Sequence, residues 1–399
     1  MPSFRETIAR ALPELVAIRH DLHQHPELAY QEHRTAGVVT KQLDALGIRY
    51  VAGLAGGTGV VAHLPATAPV ALGQPSAGAI GLRADMDALP INEQTGLPYA
   101  SKTQGLMHAC GHDGHTTILL GAARVLAQAH RPRPVTLVFQ PAEEGGGGGS
   151  KLCEEGLMSG KIIGPAIDHM YGLHCWPELP QGTVGTRPGP LLAATNDLHI
   201  IIRGRQSHAA FPQYSRDPVL CSAYVLTALQ QLTSRNVGPL DSVVCSVCMI
   251  KGGSAHNVIP DKVEMIGTIR TLDPVIRELA KVRAREIIEH TALACGCSAE
   301  VSIEDGYPVT FNDPALTEKW FAKAASVVGA DKVVRIERPV MGGEDFSYYA
   351  REKPSVFYCL GLMKPGQTSH PTLHQPDFDF NDAALPTGIE LMCELATAQ

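Results

Sequence analysis

The chain has 399 residues, 44% of them hydrophobic and 18% charged, with 39 Gly and 29 Pro. That balance has room for two domains and excludes a disordered, collagenous or disulfide-stapled chain. Thirty-three Lys and Arg stand against 40 Asp and Glu, a net charge of -7, and no basic run offers a footprint for a nucleic acid. The start carries Arg5 and Glu6 and no apolar leader, and no 18-residue apolar window occurs, so no membrane partner is expected. Ten scattered Cys fit a cytoplasmic protein with free, mostly buried thiols.

In chain order, Ser3 and Glu6 form a capping-box pattern, and Ile8, Leu12, Leu15, Val16 and Leu22 recur with helical period, so the first helix ends before Pro26. A second helix runs from Glu32 to Leu46 and stops at Gly47. Short apolar strands follow at Gly59–Leu64 and Ala79–Leu82, then a helix from Gly114 to Gln128, a strand from Val135 to Phe139 and a helix from Lys151 to Met158. Strands apolar on both sides that alternate with helices predict an α/β fold, a sheet covered by helices on both faces.

The Gly/Pro-rich stretch Gly182–Pro190 reads as a linker. Beyond it the expected order is strand Leu198–Ile202, helix Pro218–Leu232, strands Ser242–Ile250 and Lys262–Thr271, a helix from Asp273-Pro274 to His290, and strand Ala299–Ile303. That β-α-β-β-α-β order predicts a ferredoxin-like α+β domain. Strand Ser355–Leu360 and helix Asp382–Leu395 return to the first style. The expected organisation is therefore 1–186 and 304–399 as one domain, with 187–303 inserted into it.

Seventeen His are unevenly spread. The densest cluster is His108-Ala109-Cys110-Gly111-His112-Asp113-Gly114-His115, four groups able to bind a borderline metal, beside glycines that permit a turn before a helix. Glu143 and Glu144 end an apolar strand, where open α/β sheets keep their sites. Adjacent side chains diverge, so one can bind metal while the other serves as general base. The run Gly145–Gly149 before Ser150-Lys151 lacks the order of a nucleotide loop. Asp85 and Asp87 share a face of a strand end, His169 and His174 close an apolar run, and His374 lies between a Pro-rich loop and the last helix. Together these supply the ligands of a two-metal site. In the inserted domain, His208, Asn257 and Arg270 suit gripping a carboxylate or polarising a carbonyl.

These motifs, in this order, resemble the M20 metallopeptidase superfamily, and within it the amidohydrolase branch of hippurate hydrolases, N-acyl-amino-acid amidohydrolases and plant auxin-conjugate hydrolases. The resemblance runs from Arg19–Leu28 through Leu82–Pro90, 108–115, 139–149, 172–177, 207–212, 252–260 and 267–270 to Met341–Phe346 and Leu373–Asn381. It implies a zinc-exopeptidase-like domain of mixed sheet with an inserted lid or dimerisation domain. It further implies two divalent ions held by Cys110, His112, Glu144, His174 and His374, with Glu143 as general base. Other branches have a His-x-Asp pair where this chain has Arg83-Ala84-Asp85. Cys110 and His112 make up for the lost ligand, and Asp85 is expected to orient a metal-binding His. His169 competes with His174 but lies outside the family's Gly-Leu-His segment.

The resemblance also implies that His208 helps to hold an oxyanion, in some members across a dimer interface, and that Asn257 and Arg270 bind the substrate carboxylate. Branch members often carry a His just after the proline that matches Pro212, where this chain has Gln213-Tyr214, a change that bears on substrate preference. The expected reaction is hydrolysis of an N-acyl or N-aroyl amino acid, hippurate-like, to a carboxylate and a free amino acid. The alternative is a related hydrolase acting on N-acyl-diaminopimelate, carbamoyl amino acids or short dipeptides. Zn, Mn, Co and Ni all suit the mixed S, N and O donors, and a homodimer through the inserted domain is a family expectation.

Overall fold

The structure is a computed structural model that describes residues 3–67 and 78–398. Helix α1 (Phe4–Gln24) starts with the expected box: Ser3 Oγ accepts from the Glu6 N–H at 3.3 Å, and the Glu6 carboxylate accepts from the Ser3 N–H at 2.8 Å. After it come α2 (His33–Ala45), β1 (Arg49–Leu54), β2 (Gly59–Leu64), β3 (Ala79–Asp85), α3 (His112–Gln128), β4 (Val135–Gln140), α4 (Gly148–Glu154), β5 (Ile167–Pro180), β6 (Val184–Thr186) and β7 (Gly189–Leu192). The next segment holds β8 (Ala194–Arg203), β9 (Ser207–His208), α5 (Pro218–Gln231), β10 (Val243–Gly252), β11 (Val258–Ile259), β12 (Lys262–Thr271), α6 (Pro274–Ala294) and β13 (Ser298–Asp305). The chain closes with β14 (Thr310–Asn312), α7 (Pro314–Val328), β15 (Val333–Arg335), α8 (Ser347–Glu352), β16 (Ser355–Met363) and α9 (Leu385–Thr397).

The chain divides into two units. The larger comprises the residues up to Leu191, Phe311–Arg338 and those from Asp345 onward; the smaller is Leu192–Thr310 with Pro339–Glu344. In the larger unit eight strands form one mixed sheet in the order β1-β2-β4-β3-β5-β16-β6-β15. β4, β3, β5 and β16 run parallel to one another, while β2 is antiparallel to both β1 and β4. Ile80, Leu82, Ala84, Val135, Leu137 and Phe139 face a core shared with α1, α3 and α9. Arg83 and Gln140 alternate with them on their strands, so they point to the other face, where Tyr349 of α8 donates to Gln140 Oε1 at 2.9 Å. Helices therefore cover both faces of the sheet. That explains why every residue of β2, β3 and β4 is buried and why these strands read as continuous apolar runs.

Parallel strands bring their carboxyl ends to one edge. Asp85 is in register with Gln140, and Arg83 with Gly172, so Asp85, the Pro141–Glu144 turn and His174 emerge side by side.

The smaller unit is a four-stranded antiparallel sheet in the order β10-β12-β8-β13, the ferredoxin-like order. Leu198, Ile200 and Ile202 of β8 pack with Val225 and Leu229 of α5 and Ala280, Ala284 and Ile288 of α6. Both helices begin at an Asp-Pro pair: Asp217 and Asp273 each accept hydrogen bonds from two following backbone N–H groups.

Several elements lie outside the sequence expectations. β1, β5, β6, β15, α7 and α8 are unread by periodicity, and α4 spans Gly148–Glu154 where a helix over Lys151–Met158 is expected. β5 is 14 residues long and interrupts its apolar pattern with His169 and His174. Among the described residues no helix is long and apolar enough to cross a membrane.

Candidate metal centre

Three loops and one strand carry the expected ligands, and each is shaped by a local constraint. Gly111 caps α3 in the left-handed conformation, φ 84°. A Cβ there would come within 2.4 Å of Cys175 Sγ, so only glycine fits between Cys110 and His112. After β4 the chain turns through Ala142 at φ 57°, a strained value for a residue with a Cβ. That turn is held by the Ala142 N–H on Glu32 Oε1 (2.9 Å) and the Glu144 N–H on Asp87 Oδ2 (2.9 Å). It is closed by Gly148, where a Cβ would lie 1.8 Å from the Pro141 carbonyl oxygen. His174 sits on β5 opposite Cys359 of β16. His374 is itself in the left-handed region, φ 65°, and its N–H donates to the Ala109 carbonyl at 2.8 Å.

These constraints converge on one cluster. Cys110 Sγ lies 3.3 Å from His174 Nε2, and His374 Nε2 lies 3.0 Å from Glu144 Oε1. Two ligand triads result, Cys110–His112–His174 and Cys110–Glu144–His374, each with donor atoms within 4.8 Å of one another. A third group at that spacing, His112–Glu143–Glu144, brings Glu143 to the same place. Both triads contain Cys110, and the cluster is a dinuclear divalent-metal site whose S, N and O atoms would suit a borderline ion. His112 supplies a test of fit. Its Nδ1 is engaged by the Asp87 carbonyl at 2.9 Å, while its buried Nε2 has no hydrogen-bond partner among the described residues, the state of a ligand atom reserved for a cation.

The electrostatics agree. Burial pushes the Cys110 thiol well up, with Glu144 and Glu143 adding to the effect, so the sulfur keeps its proton until a cation replaces it. His174 is pulled well below its ordinary value by burial and by nearby His115, which leaves it neutral and able to ligate. His112 goes the other way, up to about 10: burial works against its charge, and Asp85, Asp87 and Glu144 outweigh burial. For Glu144 burial favours the neutral acid, but the hydrogen bond from His374 and the nearby His112 hold it below the usual range. Without a metal the cluster carries cationic imidazole where a metal cation would otherwise stand.

The other expected residues have different surroundings. Asp85 is fully buried, and its Oδ1 meets His115 Nδ1 at 2.7 Å, whereas its Oδ2 is 3.8 Å from His112 Nε2. The histidine it orients directly is thus His115. His169 pairs with Ile80 at the start of β5, five residues and about 16 Å along the strand from His174, at the opposite end of the sheet from the cluster. In the smaller unit the short β9–β11 ribbon pairs His208 with Val258, and the Ala209 N–H donates to the Asn257 carbonyl at 2.9 Å, so His208 and Asn257 are exposed neighbours across one ribbon. Arg270 lies on β12 between Val244 and Thr195, with Nη1 buried and unpartnered among the described residues.

Asp87, which the sequence places only among the candidate ligands, instead holds both His112 and the Glu144 turn. Its motif is visible in the sequence, but its two distant partners are not. Arg83 and Asp345 complete a buried scaffold: Arg83 Nη1 donates to Asp85 Oδ2 at 2.6 Å and Nη2 to Asp345 Oδ1 at 2.9 Å. Asp345 in turn accepts from the Gly149 N–H at 2.8 Å. This scaffold ties together three of the segments around the cluster.

Comparison with known proteins covers nearly the whole chain. The family model described as peptidase family M20/M25/M40 matches residues 81–398. The chain is 38% identical over 389 residues to "IAA-amino acid hydrolase ILR1-like 4" of Arabidopsis thaliana, covering 96% of this chain and 85% of that one. It is 36% identical over 387 residues to "N-acetyldiaminopimelate deacetylase" of Geobacillus, covering 97% and 98%. Among solved structures it is similar to the YXEP protein of Bacillus subtilis, described as a dinuclear metal-binding peptidase from the M20 family, with TM-score 0.80 and 31% identity over 98% of each chain.

Proposed function

The chain belongs to peptidase family M20/M25/M40 and is a metal-dependent amidohydrolase of that type; from that premise we propose that it hydrolyses the amide of an N-acyl amino acid. The observation that carries the reading is the pair Glu143–Glu144 at the end of β4. One carboxylate lies against His374, and its neighbour stands at the same cluster, within reach of His112.

Cys110, His112, Glu144, His174 and His374 are the residues that would hold the two ions. When bound, the ions would supply a Lewis-acid face for the acyl oxygen and make a nearby water more acidic. Glu143 accepts the proton of the attacking water on a carboxylate oxygen and delivers it to the departing amine nitrogen. Its burial, 6% exposed, keeps bulk water from competing for that proton. The other product is the free carboxylic acid. In the smaller unit, Arg270 and Asn257 are proposed as groups suited to a carboxylate through charge-assisted hydrogen bonds, and His208 as one suited to an oxyanion. The exposed β10 edge, with Met249 and Ile250 on it, supports a homodimer through the same unit.

The acyl group is the finer question. By its name the Arabidopsis relative acts on an auxin–amino acid conjugate and the Geobacillus relative on an acetylated diaminopimelate. Of these two, the chain spans the second almost end to end. With the name of the Geobacillus relative as its support, we take a small acyl group on a diaminopimelate-like amino acid as the reading to test against a hippurate-like aroyl substrate. A panel of acetyl-diaminopimelate, acetyl amino acids, benzoyl-glycine, an indoleacetyl amino acid and dipeptides, run on protein whose metal content is measured, tests the reading. Highest kcat/KM on acetyl-diaminopimelate is the expected result. Preference for benzoyl-glycine restores the aroyl reading, and turnover of dipeptides alone rejects the acyl-amino-acid assignment.

A further inference from the structure

His115 has both ring nitrogens engaged by the protein, one by a carboxylate and the other by a backbone N–H. Its ring is fully buried and lies 4.7 Å, centroid to centroid, from that of His174. Nδ1 meets Asp85 Oδ1 at 2.7 Å, and Nε2 accepts the Cys175 N–H at 2.8 Å. A carboxylate can only accept, so Nδ1 carries the proton; a backbone N–H can only donate, so Nε2 is bare. Asp85 is in turn fixed by Arg83, whose Nη1 donates to Oδ2 at 2.6 Å. The Cys175 carbonyl accepts from His174 Nδ1 at 2.8 Å. That bond places the proton of His174 on Nδ1 and leaves Nε2, 3.3 Å from Cys110 Sγ, free to bind a cation. Residue 175 is therefore held on its N–H by one histidine, and its carbonyl fixes the tautomer of the next.

We propose that His115 is a positioning residue, not a ligand: through the Cys175 backbone it fixes the orientation and tautomer of His174, and so sets the affinity of the Cys110–His112–His174 position alone. The proposal rests on the metal-site reading above. Glu144 and His374 meet each other directly and are reached from His115 only through Cys110, the member common to both triads. The two ion positions should therefore respond differently when His115 is changed. Spacing alone groups His115 with His174 and Cys175, or with Asp85 and His112. The hydrogen bonds exclude it as a donor, because neither nitrogen has a free lone pair to offer without breaking a bond to the protein.

The test is metal retention, read by mass spectrometry after dialysis of the full chain against graded chelator, with the metal-free Tm measured alongside. His115→Leu keeps bulk and removes both hydrogen bonds; His115→Gln keeps an acceptor that can reach the Cys175 N–H. In the Leu variant we expect one of two ions to be lost at about 10- to 100-fold lower chelator, the range typical of groups that hold a metal-binding His. The second ion should stay at the wild-type concentration. The Gln variant should recover most of the loss. A Leu variant that folds and releases both ions as wild type does overturns the proposal, as does a Gln variant no better than Leu. If the Leu variant does not fold, wild-type protein labelled with nitrogen-15 histidine decides: His115 with Nδ1 protonated and Nε2 bare supports the relay, and the opposite tautomer overturns it. Wild-type protein that binds no metal would instead reject the metal-site reading and leave this tautomer measurement to stand separately.

Discussion

The two triads proposed to hold the ions have Cys110 in common and differ in almost everything else. Around Cys110, His112 and His174 every side chain is at most 7% exposed, and the two imidazoles have their second nitrogens on backbone carbonyls. Around Glu144 and His374 the side chains are 16% and 51% exposed, and His374 is anchored by its backbone N–H at a left-handed φ. The first position is a braced socket. The second is an open seat whose ligand comes from a strained loop. Rigidity of this kind sets how much a metal gains from ligands that need no reordering, so the braced position should hold its ion more tightly and the open one should exchange.

The severest way to break this picture is Cys110→Ala, which removes the donor common to both triads. Loss of both ions is expected, with an affinity drop beyond the roughly 100-fold that even a group behind a ligand can cause. Retention of two ions would mean that sulfur is not shared. A sharper pair is His174→Ala against His374→Ala. The first should empty the braced position, and the second should leave one tightly held ion per chain; equal losses in chelator titrations would erase the difference between the positions.

The brace also has a charged backing. Asp113, next to His112, accepts from His23 Nδ1 at 2.9 Å and from Arg19 at 3.2 Å. His23 is pushed up to about 9: burial opposes its charge, and the hydrogen bonds to Asp113 and Glu93 outweigh burial. Since its folded value is raised, the stabilisation is complete below the unfolded value of about 6.5 and is lost as pH rises through about 9. That amounts to about 3 kcal/mol, or a Tm lower by roughly 4 °C at high pH. His23→Gln should flatten this slope in a pH series of melting curves, and an unchanged slope would place the effect elsewhere. The smallest effect is expected at the far end of the sheet: His169→Ala should leave both ions and turnover as in wild type, and metal loss there but not in His174→Ala would exchange their assignments.

Much of the site is legible in the sequence because the metal-binding side chains come in short runs beside glycines and strand ends. Cys110-Gly111-His112, Glu143-Glu144 and Gly172-Leu173-His174 each carry chemistry and local geometry together. What holds them is not legible. Asp87 works on His112 and on a turn 57 residues away, and Arg83 reaches Asp345 across 262 residues; no local period encodes such partners. For the same reason Pro339–Glu344 joins the smaller unit although the sequence pattern has already left it. The α/β and ferredoxin-like patterns read well where strands are wholly buried or cleanly alternating. They fail at β5, where His169 near the start and His174 in the middle break the apolar run.

The most direct test of the whole account is Glu143→Gln, with metal content and turnover measured on one preparation. The neighbouring carboxylate, Glu144, stays to bind metal, so two ions per chain should remain while kcat falls by about 10²–10⁴-fold, the span general acid–base catalysis typically supplies. Full turnover in that variant, or loss of an ion with the activity, would contradict the division of labour between Glu143 and Glu144 on which the mechanism stands.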